Sequence, residues 1–157
     1  MRIVAIGHPS LTTDVAAFLA ELRDEPRRFG PTSSPVAKPF PSILRRLEEA
    51  ADIRMGVYED RRLIALGAVA DDGEITLAVT RDRRADGVGR DLLTALVERS
   101  HGRGHRRLVL PASRRSSALL DIATDLGAVA VDLGRGRVEL VFDARPGRPA
   151  SGSGHVA

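Results

Sequence analysis

No cysteine occurs among the 157 residues, which excludes disulfides, thiolate metal sites and a cysteine nucleophile and fits a reducing, cytoplasmic setting. Aromatic residues reach only 3%, so few rings are available on which single-stranded nucleic acid could stack. Lysine is reduced to Lys38 alone. The 24 basic residues are nearly balanced by 21 acidic ones, and a net charge of +3 argues against a nucleic-acid surface despite the abundance of arginine. A run of eighteen apolar residues is also missing. The opening MRIVAIGHPS has one Arg before a short apolar patch, so neither a membrane span nor a secretory signal is expected.

What is present is a 43% apolar chain, long enough for one buried core and short for two. The expected organisation is a single domain over residues 1–143, followed by a disordered tail, 144–157, rich in Gly, Pro and Ser. After an N-terminal strand, Val15, Phe18, Leu19 and Leu22 recur three or four apart and predict an amphipathic helix near Leu11–Leu22, with Thr12 or Thr13 at its N-cap. Five prolines between Pro26 and Pro41 predict a long loop. Ser42 then caps a second helix over Ile43–Ala51.

Strand patterns begin at Ile53. IRMGVYE and RLIALGAVA, separated by Asp60-Arg61, read as an antiparallel hairpin. Asp71-Asp72-Gly73 turns into the strand EITLAVT; a helix from Gly87 to about Ser100, the strand RRLVLP and a helix from Ser116 to Leu126 follow. AVAVDL and RVELVF flank Gly134-Arg135-Gly136 as a closing hairpin. The order predicts an α+β fold with a mostly antiparallel sheet. The strand–helix–strand unit from Ile75 to Pro111 makes its two strands a parallel pair at the centre.

The segment that carries chemistry is VTRDRRADGVGRDLLTALVERS. Arg84-Ala85-Asp86-Gly87-Val88-Gly89 spells R-x-x-G-x-G, with Arg90 next, where a strand gives way to a helix. Gly87 and Gly89 permit close backbone approach, and the free amides of the helix start suit a pyrophosphate. A Walker loop is excluded by the missing Lys-Ser/Thr, and a dinucleotide fingerprint by the missing third glycine and ribose acid.

This segment resembles the signature of the GCN5-related N-acetyltransferase (GNAT) superfamily, a strand, a Q/R-x-x-G-x-G/A loop and a helix, and the resemblance extends over about Arg2–Asp143. It implies an α/β/α sandwich with six or seven mostly antiparallel strands, a splayed parallel pair at the centre and about four flanking helices. It also implies an acetyl-CoA-dependent enzyme without a metal. In such a domain Leu77, Ala78 and Val79 would meet the pantetheine arm through their backbones, and Val79 N–H would be the oxyanion donor. The stretch Arg84, Ala85, Asp86, Gly87, Val88, Gly89 and Arg90 would hold the pyrophosphate, and Ser116 would replace a pantetheine-binding Asn. A narrower resemblance, to the catalytic domain of bacterial protein lysine acetyltransferases, rests on DEPRRFGP, on the acid opening EITLAV and on DLGAV. It implies that Glu74 is the general base.

The sequence departs from the superfamily pattern at Ala123, where a general-acid Tyr is common, and at Asp86, where a carboxylate is unexpected beside phosphate. The resemblance implies a protein lysine as acceptor, with a small amine as the alternative and a catalytically inert acyl-CoA-binding module as the rival reading. The chain would act as a monomer or a homodimer. His101 and His105 are separated by glycines that oppose a helix there and lack a third ligand; Asp121 and Asp125 read as a solvated helix face. Arg83, Arg84 and Arg90 are the arginines placed to meet phosphate.

Overall fold

The structure, a computed structural model, describes residues 1–6, 13–24, 45–47, 53–84 and 86–144. The proline-rich stretch, most of the second helix expected at 43–51, Ala85 and the tail from residue 145 lie outside the described residues.

Among the described residues seven strands and three α-helices follow in the order β1 (Arg2–Ala5), α1 (Thr13–Asp24), β2 (Ile53–Glu59), β3 (Arg62–Val69), β4 (Ile75–Val79), α2 (Val88–Gly102), β5 (Arg107–Ser113), α3 (Ser117–Asp125), β6 (Val129–Gly134) and β7 (Arg137–Asp143). Residues 45–47 are helical, and a 3-10 turn at Arg81–Arg83 joins β4 to α2. The strands form two sheets, β1-β2-β3-β4 and β5-β7-β6, antiparallel within each.

The β2–β3 hairpin closes through Asp60-Arg61, both at positive φ, as a two-residue primed turn requires. β2 alternates apolar residues and β3 is apolar almost throughout, and nearly every position of both is buried because the sheet is covered on both faces. One face carries Ile53, Met55, Val57, Ile75, Leu92, Leu93 and Leu96 in a core that continues into Leu108, Leu110, Leu140 and Phe142 of the second sheet. The other carries Leu63, Leu66 and Ala68 beneath Val15, Phe18, Leu19 and Leu22 of α1 and Leu47 of the short helical segment. α2 therefore lies on one side of the first sheet and α1 on the other, while α3 packs on β6 and β7.

β6 is an edge strand, exposed along its whole length, with Val129, Val131 and Leu133 facing solvent. A register irregularity between Asp132 and Gly134 bends it where the closing hairpin begins.

β5 runs two residues beyond the strand end expected at Pro111. A proline is tolerated there because its nitrogen faces the edge that lacks a ladder partner.

Candidate active site

The hydrogen-bond alternation of β4 decides which backbone groups are spent and which are left over. Ala70 N–H donates to Glu74 O at 3.0 Å and Thr80 N–H donates to Ile64 O at 2.9 Å. In an antiparallel pair bonded positions alternate, so the main-chain groups of Glu74, Thr76, Ala78 and Thr80 face β3, while those of Ile75, Leu77 and Val79 face the opposite edge. Of the three residues expected to offer backbone to a ligand, Leu77 and Val79 have N–H groups on the open edge. Ala78 does not, since its amide and carbonyl serve β3.

The partner on that edge is β5. Ala144 N–H to Arg106 O at 2.8 Å and Arg114 N–H to Gly136 O at 2.9 Å set the same alternation against β7, turning Arg107, Val109, Pro111 and Ser113 towards β4. Val109 N–H donates to Gly73 O at 3.0 Å, beside an isolated parallel bridge of Glu74 with Val109. Gly73 is needed at this junction: its φ is +88°, and a Cβ would stand 2.4 Å from Arg107 O. The next rung of a parallel ladder would run from residue 111 to Ile75 O, and Pro111 has no N–H to give. The two strands are parallel, as expected, but past this single bridge they belong to separate sheets.

At the far end of β4 the chain turns through Arg81–Arg83 into α2. Gly87 is the N-cap with φ +84°, a conformation that glycine adopts without strain, and no side chain caps the helix. The first intrahelical bond is Asp91 N–H to Gly87 O, so the amides of Val88, Gly89 and Arg90 have no intrahelical acceptor. A Cβ on Gly89 would lie 3.7 Å from Val79 Cγ2, an ordinary contact, which places the start of α2 directly beside the open edge of β4. The protein's own packing does not demand glycine at 89.

Asp86 turns its carboxylate to Arg83 at 3.2 Å, an i,i+3 ion pair that removes the negative charge from the helix mouth. Arg83 also pairs with Glu59 and so braces this loop. Arg84 Nε donates to Val79 O at 3.0 Å, tying the loop to the end of β4. Arg90 reaches Asp125 of α3 at 3.3 Å, so Asp125 is paired and not merely solvated. Arg62 hydrogen-bonds Asp82 in the 3-10 turn and holds that carboxyl below its ordinary range.

Glu74 lies at the closed end of the splay. Its backbone N–H donates to Asp72 Oδ1 at 3.0 Å, and its carboxylate pairs with Arg46 at 3.1 Å, with 17% of the side chain exposed. Ser116 is the N-cap of α3, in the turn that follows β5, and its N–H donates to Ser113 O. Ala123 is fully buried in the core. Helix α2 runs through His101 to Gly102, contrary to the expectation that the glycines would stop it; His105 lies beyond the helix, so the two histidines share no helical face. Among the described residues no three His, Asp or Glu side chains gather as a metal site.

Sequence reasoning missed Gly73, Pro111 and Arg46. A proline inside a strand was the available signal for the second. The Arg46–Glu74 pair, 28 residues apart, had none.

No family model and no curated protein matches this sequence. Solved structures do. The GNAT domain of PAT from S. lividans superposes with a TM-score of 0.66 at 17% identity, over 90% of this chain and 89% of that one. The IAA acetyltransferase from Bacillus cereus gives 0.57 at 13% identity, over 91% and 99%. The PaiA N-acetyltransferase from Thermoplasma acidophilum, solved in complex with coenzyme A, gives 0.51 at 14% identity, over 66% and 68%. With the two sheets parting at β4 and β5 and a glycine-capped helix at their mouth, the chain has the GNAT fold.

Proposed function

We propose that this chain is an acetyl-CoA-dependent N-acetyltransferase acting on an amine, with a protein lysine as acceptor. One observation carries the reading: the unspent N–H groups of Leu77 and Val79 lie beside the uncapped amides of Val88, Gly89 and Arg90. An extended amide-bearing arm ending in a pyrophosphate needs both, and needs them adjacent. The neighbours with the same fold support the reading, one of them solved with coenzyme A.

Acetyl-CoA, once bound, supplies an activated acyl thioester. Glu74 takes the proton that a protonated amine must lose before it can attack. A rise of about 3.3 Å per residue puts Val79 about 16 Å along the strand from Glu74, so the proton travels through water. Val79 N–H is aimed at the oxyanion that develops on the thioester carbonyl, with Leu77 N–H on the same edge. Ala123 has nothing to donate to the leaving thiolate, which is protonated by water. The amine attacks the thioester directly in a ternary complex, and the chain has no cysteine on which an acyl-enzyme could form.

Calorimetric titration with acetyl-CoA, with CoA and ATP as controls, tests the cofactor site; micromolar binding lost in Gly89→Trp is the expected result. Transfer of label to a lysine-bearing protein, in preference to free amines, tests the acceptor. Tight binding without any turnover would make the chain an inert acyl-CoA-binding module instead.

A further inference from the structure

Arg54 is the second residue of β2, only 4% exposed, and none of its three guanidinium nitrogens has a hydrogen-bond partner among the described residues. Its backbone is satisfied, with Ile6 N–H donating to Arg54 O at 2.8 Å, so the strand itself gives no reason for a cation here. Burial pushes the guanidinium below its ordinary value. Arginine nevertheless stays protonated in proteins, and a buried charge without a counterion is strongly disfavoured.

The sheet register shows where that charge sits. Arg54 pairs with Ala68, and Ala68 with Thr76, in one row across β2, β3 and β4. Glu74 is two residues from Thr76 and shares its face by strand alternation. This face is the one beneath α1 and the 45–47 segment, which is why Arg46 can pair with Glu74. Two strand spacings and two residues of rise separate Arg54 and Glu74 by about 12 Å between Cα atoms, with only the short side chains of Ala68 and Thr76 in the row between. The uncapped start of α2 lies on the opposite face, beside Val79, so a phosphate bound there would not neutralise Arg54.

We propose that Arg54 recognises a carboxylate on the acceptor, so that the substrate is an amine that also carries a carboxylate, held by Arg54 while the proton of its nitrogen passes to Glu74 through water. The orientation rests on the reading of Glu74 as the general base; the anion site itself does not. A guanidinium is suited to the task because it meets a carboxylate with two parallel N–H donors. The carboxylate comes from a free amino acid or from an acidic residue beside a lysine in a peptide, and the chemistry at Arg54 is the same.

The test compares matched probes on the wild type, Arg54→Met and Arg54→Lys. Free α-amino acids are set against their amides, and a lysine peptide with a flanking Glu against one with Gln, first by calorimetry and thermal denaturation without acetyl-CoA and then by acetyl transfer. The expected result is that one carboxylate series binds the wild type at least tenfold tighter than its amide series and raises its Tm. Arg54→Met should abolish the difference and leave the KM for acetyl-CoA unchanged, while Arg54→Lys retains part of it. The responding series identifies the source of the carboxylate. Equal binding of carboxylate and amide probes by the wild type, or a preference that survives in Arg54→Met, would overturn the proposal and make Arg54 a structural cation. Carboxylate-dependent binding without acetyl transfer would sink the enzyme reading and leave the anion site standing. Replacing an unpaired buried ion by an apolar residue is usually tolerated, and the lysine variant reports if the methionine one does not fold.

Discussion

Pro111 stands on β5 where the amide that would reach Ile75 O belongs, two residues beyond the Val109 N–H that donates to Gly73 O at 3.0 Å. One missing hydrogen thus marks where a continuous sheet becomes two. Pro111→Val supplies the donor. The variant should extend the ladder, gain about 1 kcal/mol of stability from the new bond, and bind acetyl-CoA at least tenfold more weakly because Leu77 and Val79 are then covered. Denaturant melts and calorimetry on the same preparation would show both effects; tighter cofactor binding would refute the role given to the open edge.

Gly87 and Gly89 should separate on substitution. At Gly87 an Ala must adopt φ +84°, at a cost of about 1–2 kcal/mol in stability. At Gly89 the added methyl meets only Val79 Cγ2 at 3.7 Å, so Gly89→Ala should melt near the wild type yet lose affinity for acetyl-CoA. Equal cofactor affinity in Gly89→Ala would remove the ligand from the argument for that glycine.

Glu74→Gln should lower kcat by about 10²- to 10⁴-fold, the usual span for a general base, while the dissociation constant for acetyl-CoA stays put. The loss should shrink as the assay pH rises and more of the amine is already deprotonated. A flat deficit across pH would recast Glu74 as a partner that positions Arg46.

The hairpin at Asp60-Arg61 was legible because two apolar strands bracket a two-residue spacer, and its bounds agree with the structure to the residue at Ile53, Glu59 and Arg62. The glycine signature and its helix were equally plain. Other features were hidden for a common reason: they depend on what stands opposite. IRMGVYE alternates like a strand with one wet face, and only the layer of α1 makes the Arg54 face dry. Asp86 looked out of place until Arg83 was seen to take its charge. The role of Pro111 follows from β4, not from its own neighbours in the chain.

Arg61 carries a side chain at φ +68°, where glycine is at ease. Arg61→Gly should stabilise the chain by about 1 kcal/mol, or about 2–4 °C in Tm for a domain of this size. A lower Tm would mean that the Arg61 side chain contributes more than its backbone costs.

Asp132 accepts from Gly134 N–H and pairs with Arg114, and together these hold its carboxyl below the ordinary 3.8. A depressed carboxylate stabilises the fold above its unfolded value and ceases to do so as pH drops through its lower folded value. Amide protection in the β6–β7 hairpin should therefore fall on acidification below about pH 4, and Asp132→Asn should lose that dependence. Protection that declines identically in both proteins would assign the effect to other carboxylates.

The exposed course of β6 bears on how the protein behaves in bulk. Val129, Val131 and Leu133 line one side of a strand that pairs with no other strand on its outer edge among the described residues, the geometry from which aggregates grow by strand addition. Two local devices oppose that growth: the charged pair of Asp132 with Arg114, and the kink between Asp132 and Gly134 that breaks the line of donors. Resistance to strand addition thus rests on the edge opposite β5 in this sheet, and acid, by discharging Asp132, removes one of its two guards.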